Sequence, residues 1–226
     1  MFHSFTPRQN GPLPKDWDLL FAALLSDALD AVGITDQAMQ PGIRPLDDTL
    51  KLCGRARTGL YAEAGYIAPD VNPYELEIAI VDDLRPGDVA VFACGGSRRI
   101  APWGSLLSTA TRARGAAGCV TDGFVRDTRE IRAMGLPVFH GGIAPLDSKG
   151  RGQIVATDVP VLCGGVRVAP GDLVFGDADG VVVIPQAAEA EVLRRAFDKI
   201  KGEHHSMREL KSGSYLRDVY AKYGVL

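Results

Sequence analysis

The sequence predicts a mixed α/β protein in which a single domain of β layers is covered by helices. Apolar residues recur at helical spacing near the N-terminus, and buried-type strands then alternate with short helices through the middle of the chain. From Gly152 onward, short apolar runs are broken by Gly, Pro and Asp, which is typical of antiparallel strands in a compact sheet. Because periodicity does not separate this arrangement from a doubly wound parallel sheet, both architectures fit the pattern.

The first half of the chain indicates an extension followed by alternating helices and strands. Residues 1–16 are rich in Pro and polar residues and predict an N-terminal extension, whereas residues 17–226 predict one domain. A helix is predicted over 17–32, because apolar residues share one face and Gly33 is a natural stop. The other elements predicted here are a strand over 55–63, a helix over 73–81, a strand over 88–93 and a helix over 105–114.

The second half continues this alternation and then changes character. A strand over 117–121, a helix over 128–134 ended by Gly135 and a strand over 138–139 are predicted first. The turn-rich region then predicts short strands over 153–156, 159–163, 166–168, 173–176 and 180–184. Helical patterns over 187–201 and 205–223 complete the domain.

Composition argues against several classes of function. The net charge is −3 and Lys and Arg form no long run, so the clustered positive face that nucleic acid requires is not predicted. The four cysteines lack C-x-x-C spacing, which indicates small buried residues in a reducing compartment. No signal-peptide pattern and no run of eighteen apolar residues is visible, so we expect a cytoplasmic protein without a membrane partner.

The segment from residue 118 to residue 130 carries most of the functional information. A short apolar run ends in Asp122-Gly123, Arg126 and Asp127 stand side by side, and Glu130 follows three residues later. This pattern predicts a strand, a tight turn and the start of a helix, with charges of both signs at the junction. Proteins of the α/β class commonly place their chemistry at the carboxyl end of such a strand.

A second segment, from Trp103 to Leu107, begins the predicted helix that precedes this strand. A helix N-terminus offers unpaired backbone N–H groups and partial positive charge to a carboxylate or phosphate. Gly104 lets a ligand approach the backbone closely. Arg126 is suited to bind a carbonyl or carboxylate oxygen, and Asp127 is suited to hold a hard cation such as Mg²⁺. Together these residues predict a site for a small oxyacid bound through a metal.

Structural roles also account for the same residues. Ser105 fits a helix N-cap, Arg126 and Asp127 fit an ion pair, and Glu130 fits a first-turn helix charge. His140 fits a structural histidine at a strand end. Spacing alone leaves these alternatives open.

The run from residue 114 to residue 127, Arg-Gly-Ala-Ala-Gly-Cys-Val-Thr-Asp-Gly-Phe-Val-Arg-Asp, resembles the signature of the RraA-like superfamily. Its members include class II pyruvate aldolases acting on 4-hydroxy-4-methyl-2-oxoglutarate and 4-carboxy-4-hydroxy-2-oxoadipate, and the regulator of ribonuclease E activity. The resemblance covers residues 20–225. Further matching segments are 85–89, 103–104, 135–139, 160–161, 164–166, 170–174 and 177–181.

This resemblance implies an α-β-β-α sandwich that assembles as a homotrimer or homohexamer with sites between subunits. It implies a divalent cation, Mg²⁺ or Mn²⁺, held by Asp127 and water. It also implies that Arg126 contacts the pyruvate oxygen, while the backbone amides of Leu106 and Leu107 bind the pyruvate carboxylate. Gly104 and Ser105 would belong to the same substrate-binding segment.

The acidic residues around the metal are the most variable part of the resemblance. The aldolases carry an acidic residue at the position of Ser105, where it orients water at the metal, and a hydroxyl cannot act as a carboxylate base at neutral pH. Glu130 completes an Asp-x-x-Glu pattern that helps to separate the aldolases from the regulator, and it is a candidate to contact water bound to the metal. Glu203 is the match for a glutamate that the neighbouring subunit contributes in the aldolases.

The resemblance therefore favours a metal-dependent lyase for a small 2-oxo acid, acting by retro-aldol release of pyruvate or by oxaloacetate decarboxylation. Decarboxylation needs only an electron sink, whereas retro-aldol cleavage also needs a base for the 4-hydroxyl group. Glu203 and His140 are the candidates for that base. The alternatives are a regulatory binding protein of the ribonuclease E inhibitor type, and a lyase for another hydroxy or oxo acid.

Overall fold

The computed structural model describes residues 11–224, with the side chains of residues 201–204 excepted, and contains ten strands and six helices in that range. The strands are β1 (Arg44–Pro45), β2 (Leu52–Glu63), β3 (Asp88–Ala93), β4 (Gly118–Val125), β5 (Val138–Ile143), β6 (Gly152–Thr157), β7 (Val161–Cys163), β8 (Val166–Val168), β9 (Leu173–Asp177) and β10 (Gly180–Ile184). The helices are α1 (Ala22–Asp30), α2 (Glu75–Asp82), α3 (Ser105–Ala113), α4 (Thr128–Met134), α5 (Glu189–Lys211) and α6 (Leu216–Tyr223).

One mixed sheet organises the molecule. Its strand order is β1-β5-β4-β3-β2-β9-β10, and β6 pairs with the far part of β2. Strands β2 to β5 run parallel to one another, whereas β1, β6, β9 and β10 pair antiparallel to their neighbours. The Arg44 guanidinium on β1 donates to the carbonyls of Ala178 and Asp179 in the β9–β10 turn, so the sheet is nearly closed.

The sheet separates three apolar clusters. Helices α2, α3 and α4 pack on one outer face, around Phe92 and Trp103. Helices α1 and α5 cover β9 and β10 on the other side, around Phe175. Between these layers lies an interior that includes Phe139 and is filled by the β7–β8 hairpin. The predicted α/β fold with mixed and antiparallel strands flanked by helices is therefore confirmed.

The central segment differs from its sequence-based prediction in one respect. Asp122 and Gly123 form no turn, because β4 continues to Val125 with a register shift against β5 between Thr121 and Phe124. The Asp122 carboxylate accepts hydrogen bonds from the backbone N–H groups of Cys94 (2.5 Å) and Gly96 (3.0 Å), which ties β4 to the loop after β3. A β-bulge places an extra residue without ending the strand.

The ends of the chain also refine the predicted elements. The helix expected over 17–32 is divided into a short 3-10 helix, Trp17–Leu19, and α1. The helix expected over 187–201 continues to Lys211, so the predicted tail helix is α6 alone. Most of the expected N-terminal extension, residues 1–10, lies outside the described residues. The described end of this segment packs against the domain, because the Arg55 side chain on β2 donates to the carbonyls of Gly11 (3.2 Å) and Pro12 (2.7 Å).

Among residues 11–224, the helices are too short or too polar to cross a lipid bilayer.

Candidate active site

The parallel strands bring the two predicted site segments to one edge of the sheet. The loop after β3 leads into α3, and Arg126 and Asp127 connect β4 to α4. Trp103 forms a parallel bridge with Val125, and the Arg126 backbone N–H donates to the Trp103 carbonyl at 3.0 Å. The start of α3 is therefore fastened beside the end of β4.

Trp103 fixes the first turn of α3. Its ring is buried and contacts Phe92 edge-on, with centroids 5.5 Å apart. The indole Nε1 donates to Ser108 Oγ (2.8 Å), and Ser108 Oγ donates to the Gly104 carbonyl (2.9 Å). An aromatic ring with a satisfied N–H gives both packing and orientation, so the helix N-terminus is held rigidly towards the site.

Asp127 is held by Ser105. Its Oδ2 atom accepts hydrogen bonds from the backbone N–H (3.0 Å) and the Oγ hydroxyl (2.9 Å) of Ser105. The Ser105 backbone N–H contributes most to lowering the pKa of Asp127, with the hydroxyl and Arg126 adding to it. The carboxylate therefore stays ionised at neutral pH.

Gly104, not Ser105, is the N-cap residue of α3, so the alternative role proposed for Ser105 is wrong by one position. A Cβ atom at Gly104 would lie 2.8 Å from Asp127 Oδ2 and 3.2 Å from Arg126 Cγ. Glycine is therefore required here for close approach of the Asp127 carboxylate.

Arg126 makes its direct polar contacts with residues after β5, although its charge also lowers the pKa of its neighbour Asp127. Its NH1 group donates to the Leu146 carbonyl at 3.3 Å and lies 3.4 Å from Asp147 Oδ2. The Tyr74 hydroxyl donates to the same Asp147 oxygen at 2.8 Å. Burial opposes ionisation of Asp147, but hydrogen bonds from Tyr74 and Lys149, with the charge of Arg126, lower its pKa below the ordinary value. The alternative of an Arg126–Asp127 ion pair is therefore not what the structure shows.

These segments enclose a cavity of about 350 Å³. Its walls combine the α3 N-terminus and the Arg126-Asp127 corner with one face of α2 and the loop after β5. The lining residues are Tyr74, Glu77, Ile78, Ala101, Pro102, Trp103, Gly104, Leu106, Leu107, Arg126, Asp127 and Asp147. All the predicted substrate-binding positions except Ser105 line this cavity. Ser105 does not line it but donates a hydrogen bond to Asp127, which does.

The first-turn amides of α3 are suited to bind an anion. Leu106 and Leu107 are the second and third residues of the helix, so their N–H groups have no acceptor within it. The Leu106 side chain is 82% exposed at the cavity mouth, whereas Leu107 packs against the apolar cluster under α3. The backbone, not the side chains, therefore presents the polar groups here.

Three polar lining residues, Tyr74, Glu77 and Asp147, were not predicted from the sequence. Tyr74 and Glu77 lie one turn apart at the start of α2, a spacing that could have indicated a shared face. Asp147 lies in a loop and carries no sequence signal. Burial raises the pKa of Glu77 to about 7.

The remaining predicted site residues are not brought into the cavity. Glu130 is exposed on the first turn of α4. Glu203 lies outside the described side chains. His140 is buried within β5, where burial and Arg132 lower its pKa to about 4, and it does not line the cavity. Within the described side chains, His, Cys, Asp and Glu form no cluster of three suited to bind a metal.

Comparison with known proteins places this geometry in a family. A protein of Halalkalibacterium halodurans, provisionally named as a 4-hydroxy-4-methyl-2-oxoglutarate aldolase, is 38% identical over 175 residues, which are 77% of each chain. The crystal structure of an uncharacterised protein from Pseudomonas syringae has a TM-score of 0.78 and 32% identity, over 90% of this chain and 94% of that one.

A third relative bears the name of the regulator. RraAS2 of Streptomyces coelicolor, described as an unusual member of the RNase ES inhibitor RraA family, has a TM-score of 0.76 and 32% identity, over 85% of this chain and 95% of that one. The family model described as RraA-like, Aldolase/RraA, matches residues 22–183. Arg126, Asp127 and the α3 N-terminus all fall within that match, and the chain belongs to the RraA-like family.

Proposed function

We propose that this protein is a divalent-metal-dependent lyase that cleaves a carbon–carbon bond of a small 2-oxo acid, releasing pyruvate by retro-aldol cleavage, by oxaloacetate decarboxylation, or by both. The observation that carries the proposal is the shared cavity, which brings an ionised carboxylate, an arginine and a helix N-terminus to one space. The aldolase name of the Halalkalibacterium halodurans relative supports it.

The residues present fit a cation. Asp127 Oδ2 is occupied by Ser105, but Oδ1 accepts no hydrogen bond from the described part of the chain. Magnesium and manganese accept one or two carboxylates and complete their shells with water and substrate oxygens. Asp127 would therefore hold Mg²⁺ or Mn²⁺, and the cation, when bound, would polarise the 2-oxo group of the substrate.

The chain supplies the other groups that the reaction needs. The N–H groups of Leu106 and Leu107 would bind the substrate carboxylate, favoured by the positive end of the helix dipole. Arg126 would donate to the 2-oxo oxygen and stabilise the negative charge that develops there as the bond breaks. The Asp147 contact holds its guanidinium at the cavity wall before substrate arrives.

We extend the proposal to a homo-oligomer, a trimer or a hexamer. Leu106 and Ile78 are 82% and 44% exposed where the cavity opens, so a second copy at this mouth would cover apolar surface. By the family resemblance, Glu203 of that copy is the candidate to contact water at the cation. Light scattering after size-exclusion chromatography measures the state, and a monomer at all concentrations would contradict this part of the proposal.

The test is turnover of oxaloacetate and of 4-hydroxy-4-methyl-2-oxoglutarate with Mg²⁺ or Mn²⁺. Protein-free metal is the blank, because divalent cations promote oxaloacetate decarboxylation by themselves. A chelator and Arg126→Ala should each abolish most of the activity, whereas Arg129→Ala, an exposed arginine three positions along, should not. Activity that persists in both chelator and Arg126→Ala would overturn the mechanism.

A second candidate function is a regulatory binding protein, favoured by the likeness to RraAS2. It would require a ribonuclease partner and no chemistry in the cavity. Binding of a purified ribonuclease E, unaffected by Arg126→Ala and accompanied by no lyase activity, would support it over the lyase.

A further inference from the structure

Glu77 is a buried carboxyl group that the reaction outlined above leaves without a role. It is 7% exposed, and it lies on the α2 wall of the same cavity as Arg126 and Asp127. Burying a carboxyl group costs free energy unless it is well paired. Its retention at the cavity wall therefore calls for a functional explanation.

The contacts of Glu77 involve only one of its two oxygens. Oε2 accepts hydrogen bonds from the Tyr61 hydroxyl (2.6 Å) and from Ser148 Oγ (3.3 Å). Oε1 has no hydrogen-bond partner among the described residues, yet it is not one of the fully buried atoms that lack a partner. Oε1 is therefore not fully enclosed, Glu77 is one of the residues that line the cavity, and Tyr61 and Ser148 hold its other oxygen.

Groups of both charges surround Glu77. Asp147, in the loop after β5, disfavours its ionised form, whereas Arg126, after β4, favours it. Tyr61 on β2, Tyr74 at the start of α2 and Cys94 after β3 also face it, and the pKa of each is raised, mainly by burial. No lysine, arginine or histidine in the described side chains forms a direct ion pair with Glu77.

The three acids of the cavity differ in protonation. Hydrogen bonds hold the pKa values of Asp127 and Asp147 below the ordinary range, so neither carries a proton at neutral pH. Burial raises the pKa of Glu77 to about 7, so its protonated and ionised forms are both populated at neutral pH. Acids whose surroundings push their pKa values apart commonly divide catalytic roles between them.

We propose that Glu77 is the acid–base group of this cavity and transfers the proton at C3 of the pyruvate unit. The inference rests on the proposed lyase function and names the group that takes the place of the acid missing at Ser105. When the carbon–carbon bond breaks, its electron pair remains on the substrate as an enolate. The O–H bond of Glu77 then breaks, its proton forms the new C3–H bond of pyruvate, and Glu77 is left as a carboxylate.

The carboxylate recovers its proton differently in the two reactions. In retro-aldol cleavage it accepts the proton of the 4-hydroxyl group of the next substrate, whose C4–O bond becomes a carbonyl as the C3–C4 bond breaks. In decarboxylation CO₂ leaves without a proton, so the carboxylate is reprotonated by water. Tyr61 acts as a positioning residue, because its hydroxyl donates to Oε2 and Tyr61 does not line the cavity.

The experiment follows the methyl protons of pyruvate by proton NMR in D₂O with Mg²⁺ present, so that proton transfer is measured without bond cleavage. The wild-type protein should exchange these protons for deuterium. Glu77→Gln should slow exchange by about 100-fold or more, as expected for loss of a general acid–base group. Glu75→Gln, an exposed glutamate on the same helix, is the matched control and should exchange at the wild-type rate.

Two further measurements keep the inference testable. Oxalate, a planar mimic of the enolate, should bind Glu77→Gln as it binds wild type, which separates loss of proton transfer from loss of the site. Should Glu77→Gln not fold, Tyr61→Phe replaces it. The Tyr61 hydroxyl favours the ionised form of Glu77, so its removal should raise the pKa of Glu77 and shift the pH dependence of the exchange rate to higher pH.

The outcomes separate the two proposals. If wild type neither cleaves a 2-oxo acid nor exchanges pyruvate protons, the lyase function itself fails. If wild type cleaves a 2-oxo acid and Glu77→Gln cleaves and exchanges at the wild-type rate, the lyase stands and the role of Glu77 is overturned. If the pH dependence of the exchange rate is the same in Tyr61→Phe as in wild type, the role of Glu77 is likewise overturned.

Discussion

Ser105 donates two hydrogen bonds, from its backbone N–H and its hydroxyl, to a single carboxylate oxygen of Asp127. A serine one residue into α3 thus orients the acid that begins α4. Ser105 therefore holds the Asp127 carboxylate through Oδ2 alone, and Oδ1 accepts no hydrogen bond from the described part of the chain.

Replacing Asp127 by asparagine should abolish binding of the cation. Asparagine keeps the shape and still accepts from Ser105, but it removes the negative charge. We expect lyase activity to fall by about 100-fold or more, because a cation contributes several kcal/mol of charge stabilisation. Mn²⁺ binding measured by electron paramagnetic resonance checks this, with Glu75→Gln, an exposed glutamate outside the cavity lining, as the control that should bind normally.

Ser105→Ala should weaken the cation site without destroying it. The variant loses the hydroxyl donor at 2.9 Å but retains the backbone donor at 3.0 Å. Loss of a group that orients a metal ligand lowers metal affinity by about 10-fold. Titration with Mn²⁺ measures the change, and Ser105→Thr, which keeps the hydroxyl, should restore affinity; an unchanged affinity in Ser105→Ala would contradict the role of the hydroxyl.

Gly104→Ala should inactivate the site while leaving the fold intact. The new methyl group would lie 2.8 Å from Asp127 Oδ2, so the carboxylate must move, whereas the extended backbone at Gly104 accommodates alanine. Gly65→Ala, where a Cβ meets nothing within 4 Å, is the matched control. Turnover and circular dichroism together check the prediction, and an active Gly104→Ala protein would disprove the steric argument.

Glu77→Gln should stabilise the protein at alkaline pH. Because the folded-state pKa of Glu77 is about 7 and its ordinary value is 4.5, the folded protein binds more protons between these values and stability falls as pH rises through them. The variant has no carboxyl group at this position and so does not lose this stability. The loss in the wild-type free energy of unfolding is up to about 3 kcal/mol above pH 7. Urea unfolding at pH 8 and pH 5 measures it.

The gain in Glu77→Gln should shrink as the pH falls from 7 towards 4.5 and level off below 4.5, where the wild-type carboxyl is protonated in both states. Glu75→Gln should show no such dependence, because that side chain is exposed. An equal stability difference at both pH values would mean that Glu77 is not held near neutrality by burial.

The sequence predicted the part of the site that depends on local pattern. Arg126, Asp127 and the start of α3 follow directly from strands and a helix whose order places them at one edge. Tyr74, Glu77 and Asp147 were missed because their approach depends on how α2 and the loop after β5 fold over the sheet, which spacing does not record. The turn predicted at Asp122-Gly123 was wrong because β4 continues through both residues to Val125, and the Asp122 carboxylate accepts hydrogen bonds from the loop after β3.

The parallel order of β2 to β5 has a consequence for how ligand binding and folding are linked. The cavity draws residues from four segments between Tyr74 and Asp147, and only the assembled strands bring them together. A fragment that lacks any of these strands would have no binding site to titrate. A cation or substrate analogue that binds only the assembled cavity therefore raises the melting temperature of the whole sheet, so thermal shift offers a screen for the natural substrate before any chemistry is observed.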